Sequence, residues 1–426
     1  MKLHGITRRT FLGTAGTAAA MAVLGCNGKP LRAAMAKVVV VGGGYGGATA
    51  AKYLKLFDPL LDVTLIEKTA EYYLSCPGSN EVLAGWQGLE WLRRSHDSLR
   101  KRHGIRLVHG EAAAIDAKRR RVRLRDGPEI FYDRLILSPG IDFRWDAIEG
   151  YGEADSLVVP HAWKAGPQTT LLQRQLGAMR DGGVVAITAP ANPYRCPPGP
   201  YERASLIAHF LRSHKPRSKI LILDAKTQFS KQALFFQGWQ SLYADMVEWI
   251  SAEKEGAIER VDTRKRIVAT EFNEYRCDVL NVIPPQKAGL LAQEAGLADA
   301  SGWCPVDPNS FVSTLQPEIH VIGDACVAAP MPKSAFAANA QAKICAAAIV
   351  DLLQGRAPGP PSLINHCYSF LAPEYAISVT GVYEYSGQER QLVATSSGET
   401  PMNADRRREA AFARSWQSNI AADAFE

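Results

Sequence analysis

The 426-residue sequence predicts an α/β protein with two Rossmann-like dinucleotide-binding domains and a smaller C-terminal α+β domain. Three observations predict it. A β-branched run opens into glycines and an alanine-rich helix within residues 37–56. A second strand–turn–helix–strand pattern follows within 183–224. A proline-rich break at 357–361 then precedes a fresh apolar strand run at 375–383. Length alone argues for more than one domain, since single cores stop growing beyond ~250–300 residues. The composition, 46% apolar and 22% charged, is that of an ordinary globular chain.

The net charge of +6 is concentrated at one end. Residues 1–36 hold Lys2, Arg8, Arg9, Lys29 and Arg32 and no acid, which leaves 44 basic against 43 acidic residues in the remainder. That balance gives no electrostatic basis for a nucleic-acid partner or an anionic membrane surface. Thr7-Arg8-Arg9-Thr10-Phe11-Leu12 resembles a twin-arginine export motif. A short apolar stretch, Ala15 to Leu24, and a small-x-small site, Ala34-Met35-Ala36, follow it. Val23-Leu24-Gly25-Cys26 is an alternative, lipoprotein-type processing site. The expectation is a signal peptide over 1–36 and a periplasmic mature protein. No later run reaches the ~18 apolar residues of a transmembrane helix. Export permits disulfides among the eight cysteines. None of these forms the C-x-x-C-H of a haem attachment site.

The first domain begins at Lys37. Gly42, Gly44 and Gly47 form G-x-G-x-x-G between the strand Lys37–Val41 and the helix after it. Such glycines allow a tight turn, close approach of the pyrophosphate, and packing of helix on strand. The helix N-terminus offers unpaired N–H groups to the phosphates. The next strand, 62–67, ends in Glu67, 20 residues past Gly47 and placed for ribose hydroxyls. The stretch 318–325 reads as a buried strand ending in Gly323-Asp324. With Arg134 to Gly140, it resembles the flavin motifs of glutathione-reductase-like flavoproteins, where the aspartate binds the ribityl chain. FAD is the cofactor that this resemblance implies.

The second domain keeps the βαβ outline but not the turn. Between Ala189 and Pro200 the sequence is Ala-Pro-Ala-Asn-Pro-Tyr-Arg-Cys-Pro-Pro-Gly-Pro, with no G-x-G-x-x-G. Prolines fix φ and remove the N–H donors a pyrophosphate requires. The nicotinamide site is therefore expected to be lost, with Cys196 in its place and Asp224 only a strand-end acid.

Longer strings are more specific. Residues 195–205 (Arg-Cys-Pro-Pro-Gly-Pro-Tyr-Glu-Arg-Ala-Ser), 302–307, Gly323-Asp324-Ala325-Cys326, Pro330-Met331-Pro332-Lys333-Ser334 and Cys367-Tyr368-Ser369 together resemble the flavoprotein subunit of flavocytochrome c sulfide dehydrogenase. The likeness extends over residues 37–426. It implies a redox disulfide between Cys196 and Cys367, and a thioether from Cys76 to FAD. Cys76 is followed by Ser79-Asn80-Glu81-Val82, although Pro77-Gly78 departs from the family's bulkier residues. It also implies a proton-moving acid at Glu202 and flavin contacts from Gly140, Gly323, Asp324 and Lys333. Hydrosulfide would then be oxidised to sulfur or polysulfide, with electrons passing to a cytochrome c subunit that carries the haem. Cys277, Cys304, Cys326 and Cys345 read as buried structural thiols.

The expected domains are an FAD-binding domain over 37–150 and 287–357, a second Rossmann-like domain over 151–286, and a flavin-capping, cytochrome-docking domain over 358–426. One rival is a sulfide:quinone oxidoreductase, which needs an amphipathic membrane-binding end; the tail 405–412 is the available candidate. The other is a non-catalytic, FAD-bound redox-sensing or partner-binding module.

Overall fold

Val38 to Val41 is a continuous apolar run and Val63 to Ile66 is broken only by a buried Thr64, because both faces of their strands are covered, as parallel sheets require. The computed structural model describes residues 35–426, so the expected export segment, with its twin arginines and Cys26, lies almost wholly outside the described residues. The first layer comprises β1 (Lys37–Val41), α1 (Tyr45–Phe57), β2 (Asp62–Glu67), the short helix α2 (Ser79–Leu83), β3 (Arg106–His109) and β4 (Arg134–Leu137). β1 pairs in parallel with β2 and β4, and β2 with β3. The chain leaves this layer at Ile141–Phe143 and returns at Gln286–Ala288, and these two segments pair antiparallel.

Between them lies the second parallel sheet. It contains β5 (Val184–Ala189), α3 (Gly199–His214), β6 (Lys219–Asp224), α4 (Gln232–Tyr243), β7 (Val247–Ile250) and β8 (Val279–Asn281), in the order β7-β6-β5-β8. After the return, β9 (Ile319–Val321) joins β4 in parallel and completes the first sheet, β9-β4-β1-β2-β3. The first domain is thus built from two separate stretches of chain.

The long helix α5 (Ala335–Leu353) then packs on α1. Among the described residues it is the one helix long and apolar enough to cross a membrane, and its middle is buried in the protein core. The closing unit is an antiparallel sheet of β10 (Ser362–Ala372), β11 (Tyr375–Ser386) and β12 (Gln391–Glu399), followed by α6 (Arg406–Phe425). The amphipathic tail expected at 405–412 proves to be the first part of a 20-residue helix. Asp405 caps it by accepting from the N–H groups of Arg407 (3.0 Å) and Arg408 (3.4 Å). Its inward stripe is Ala410, Ala413, Gln417, Ile420, Ala424 and Phe425. Alanines and a glutamine make a faint apolar signal, which is why the helical period is easy to miss.

Candidate active site

The glycine turn closes as its spacing requires. Gly42 has φ +98°, and a Cβ there would collide with the Ser138 carbonyl oxygen; a Cβ at Gly47 would collide with the Gly42 carbonyl. Only glycine lets α1 approach β1 this closely. Gly44 lies against the Tyr72 hydroxyl. Glu67 is buried at the end of β2, where Oε2 accepts from Gly43 N at 2.6 Å and Oε1 from Thr69 N at 3.0 Å. Gly140 and Gly323 take the left-handed conformation after β4 and β9.

Asp324 follows Gly323 in a single 3₁₀ turn and faces the same region. Burial pushes its carboxyl above the usual range, with the Arg195 and Lys333 charges opposing this. Oδ1 is buried and has no hydrogen-bond partner among the described residues. Buried polar atoms are nearly always paired. A ribityl hydroxyl would supply the partner this oxygen lacks, so the residues present fit FAD. Lys333 acts on the same turn from its backbone side. Its Nζ donates to the carbonyls of Asp324 and Cys326, each at 2.8 Å, and lies 3.8 Å from the centroid of the Trp303 ring.

Two cysteines pair beside this cradle, and the pairing differs from the expected one. Cys196 is bonded to Cys76, with Cα atoms 6.8 Å apart, and Cys367 is a free, half-buried thiol. The expected Cys196–Cys367 bond is therefore not the one present, and Cys76 is not free for a thioether in this state. The physical reason lies in the backbone. Cys76 lies three residues before α2 and Cys196 three residues before α3, and these two helices pack on each other, which brings the two sulfurs together. Cys196 holds φ +59°, an uncommon conformation for a non-glycine residue. Cys367 lies within β10 rather than in a loop, opposite Val379. It remains close to the pair. Cys196 N donates to Lys333 O at 2.8 Å, while the next residue, Ser334, bonds Asn365 on the same strand as Cys367. Burial raises the Cys367 thiol, and the Lys231 ammonium is the largest opposing influence.

Glu202 occupies the first turn of α3, six residues after Cys196. Its Oε2 accepts from Asn80 Nδ2 at 2.8 Å and its Oε1 from Phe370 N at 2.9 Å. Burial raises its pKa against those hydrogen bonds. Glu81 lies nearby, and its Oε1 accepts from Gln417 Nε2 at 2.8 Å. Burial brings it up to about 7, with the Gln417 hydrogen bond opposing and the Glu202 charge adding. Both acids line a cavity of about 10 Å³, with Pro77, Gly78, Asn80 and Gln417, which is close to the room one water needs. Sequence reasoning missed Glu81 as a site residue and missed Lys231 altogether. Glu81 could have been suspected from its place five residues after Cys76, whereas nothing local marks Lys231.

The second nucleotide turn is filled by the protein's own side chains. The Asp224 carboxylate accepts from Tyr201 Oη (2.5 Å), Trp249 Nε1 (2.8 Å) and Lys226 Nζ (2.6 Å), and Tyr201 stacks on Phe229 at 3.6 Å.

Fold and site together define a flavoprotein oxidoreductase with two dinucleotide-binding folds and a cysteine cluster. Family models agree: pyridine nucleotide-disulphide oxidoreductase over residues 36–164, sulfide dehydrogenase [flavocytochrome c] flavoprotein chain, central, over 169–284, and flavocytochrome c sulphide dehydrogenase, flavin-binding, over 359–425. The sulfide dehydrogenase [flavocytochrome c] flavoprotein chain of Chlorobaculum thiosulfatiphilum is 60% identical over 47 residues, 11% of this chain and 94% of that sequence. The mitochondrial sulfide:quinone oxidoreductase of Mus musculus is 24% identical over 345 residues, 76% of this chain and 72% of its own. The solved sulfide:quinone oxidoreductase of Aquifex aeolicus shares the fold, with a TM-score of 0.68 at 17% identity over 91% of this chain and 92% of that one. The chain belongs to the flavocytochrome c sulfide dehydrogenase flavoprotein family.

Proposed function

We propose that this protein is a periplasmic, FAD-dependent sulfide dehydrogenase that oxidises hydrosulfide through Cys196 and delivers electrons to a c-type cytochrome subunit. The observation that carries this reading is a Cys76–Cys196 disulfide and a half-buried Cys367 thiol, on segments linked through Lys333, Ser334 and Asn365, near an orphaned Asp324 carboxylate oxygen.

The cysteines are linked by exchange. A Cys367 thiolate attacks Cys196 Sγ, forms the Cys196–Cys367 bond and expels Cys76 as a thiolate. That step moves no net electrons and frees Cys76 as the residue available for covalent flavin attachment. Hydrosulfide then opens the Cys196–Cys367 disulfide, giving one cysteine persulfide and one thiolate. A second hydrosulfide removes the outer sulfur as hydrodisulfide, and the two cysteines close again. Overall, two hydrosulfides become one hydrodisulfide, one proton and two electrons. Bound FAD supplies the two-electron acceptor. Glu202, buried six residues after Cys196 and held by Asn80 and Phe370, takes the proton.

A one-electron haem acceptor suits stepwise reoxidation, and the family to which the chain belongs takes its name from a flavocytochrome. The buried stripe of α6, which takes in Ala410 and Ala413 of the candidate tail, also supports a cytochrome over membrane quinone. The export-type segment at 1–36 supports the periplasm. Anaerobic protein reduced with two equivalents of sulfide should reoxidise rapidly on mixing with a c-type cytochrome and slowly with a soluble ubiquinone analogue. The reverse order would make the acceptor a quinone.

A further inference from the structure

Lys231 is among the most completely buried side chains of the protein, with 1% relative exposure. Its Nζ donates to Ser369 Oγ at 2.8 Å and lies 5.8 Å from the centroid of the Phe235 ring. No carboxylate comes within ion-pair distance of it among the described residues. Glu202 is near, but its oxygens are held by Asn80 and Phe370; Glu399 accepts from Lys231 through the backbone N–H at 2.9 Å instead. A buried ammonium without a carboxylate partner is costly and calls for an anion.

Asn365, Cys367 and Ser369 alternate along β10 and so share one face of the strand. The Lys231 ammonium is fixed at one end of this row. Ser334 Oγ bonds Asn365 Oδ1 at 2.6 Å at the other end, and Cys367 lies between them. Within the row the group able to carry a negative charge is the Cys367 sulfur. We propose that Lys231 is a positioning residue for sulfur anions, holding the Cys367 thiolate, and the persulfide or hydrosulfide anion that meets it, against the Asn365–Cys367–Ser369 face.

The other titratable groups facing this spot are Glu202 from α3, Glu399 from the end of β12, His366 from β10 and Tyr383 from β11. Glu202, Glu399 and Tyr383 disfavour a thiolate when ionised, which leaves Lys231 as its principal support. Burial brings Lys231 down to about 8, and the Cys367 charge is the largest influence opposing this.

The inference rests on Cys367 being a redox cysteine, yet it can be tested without sulfide. Reduced, anaerobic holoprotein is alkylated with iodoacetamide across pH, and the Cys367 peptide is followed by mass spectrometry. Lys231→Met should raise the apparent pKa of Cys367 by a unit or more, slowing alkylation at pH 8 about tenfold. Lys231→Arg should keep the parental profile. An unchanged profile in Lys231→Met would overturn the proposal even if sulfide oxidation is confirmed. Should Lys231→Met fail to fold, the reciprocal measurement remains. Cys367→Ser, which breaks no disulfide of the structure, should lower the Lys231 pKa read by ¹⁵N-lysine NMR, and an unmoved Lys231 titration would overturn the proposal equally.

Discussion

Asn80 Nδ2 donates to Glu202 Oε2 at 2.8 Å, and this bond ties the helix that follows Cys76 to the helix that follows Cys196. Arg203 Nε donates to Asn80 Oδ1 at 3.0 Å and fixes the amide from its other side. The two cysteine-bearing segments are thus registered by a buried polar network as well as by their disulfide. Satisfied networks of this kind rigidify a site, and each unmet member is costly.

If Cys367 is the exchanging thiol, Cys367→Ser traps the Cys76–Cys196 bond. Peptide mapping of the variant should recover that bond, and acid precipitation should release its FAD into the supernatant. The parent should instead carry flavin on the Cys76 peptide and show a Cys196–Cys367 bond. Covalent flavin in Cys367→Ser would refute the exchange.

Asp324→Ala should weaken flavin binding about tenfold to a hundredfold, the cost of one hydrogen bond to a charged group. The measurement uses a Cys76→Ala background, so that covalent attachment cannot mask the loss. Parental affinity in Asp324→Ala would remove Asp324 from the flavin site.

How much of this was legible in sequence depended on whether the signal was local. Gly42, Gly44, Gly47 and Glu67 lie within one βαβ unit, and the strand 62–67 matches the observed β2 residue for residue. Asp324 was legible because a strand and a glycine precede it directly. Cysteine pairing was not, since Cys76, Cys196 and Cys367 lie on three segments far apart in sequence and any two thiols are chemically able to bond. Lys231 was hidden for a similar reason. Its role depends on β10, 138 residues further on, and a single lysine before a helix reads as a solvated residue. The helix α6 escaped because its buried stripe is alanine and glutamine rather than leucine.

Glu81 gives the fold a pH dependence of definite sign. Its folded pKa of about 7 lies above the ordinary 4.5, so the native state binds the extra proton. Its contribution is therefore fully present below pH ~4.5 and is lost as pH rises through ~7. The span corresponds to about 3 kcal/mol at most. Chemical denaturation of Glu81→Gln should show stability that falls less than the parent's between those limits. Parallel curves would mean that Glu81 titrates normally.

NADH should neither bind tightly nor reduce the flavin, because Asp224 is fully engaged by Tyr201, Trp249 and Lys226 and the turn lacks glycines. Stopped-flow mixing with NADH should leave the flavin spectrum unchanged; rapid bleaching would show a working nicotinamide site.

Sulfide titration of the flavin absorbance in the Cys196→Ser holoprotein tests the central claim most directly, since Cys196 belongs to both cysteine pairings. The flavin should resist sulfide, with bleaching slowed by orders of magnitude, yet bleach fully with dithionite, which separates lost chemistry from lost cofactor. Bleaching by sulfide at the parental rate would show that the cysteine cluster is structural and that the flavin is reduced by another route.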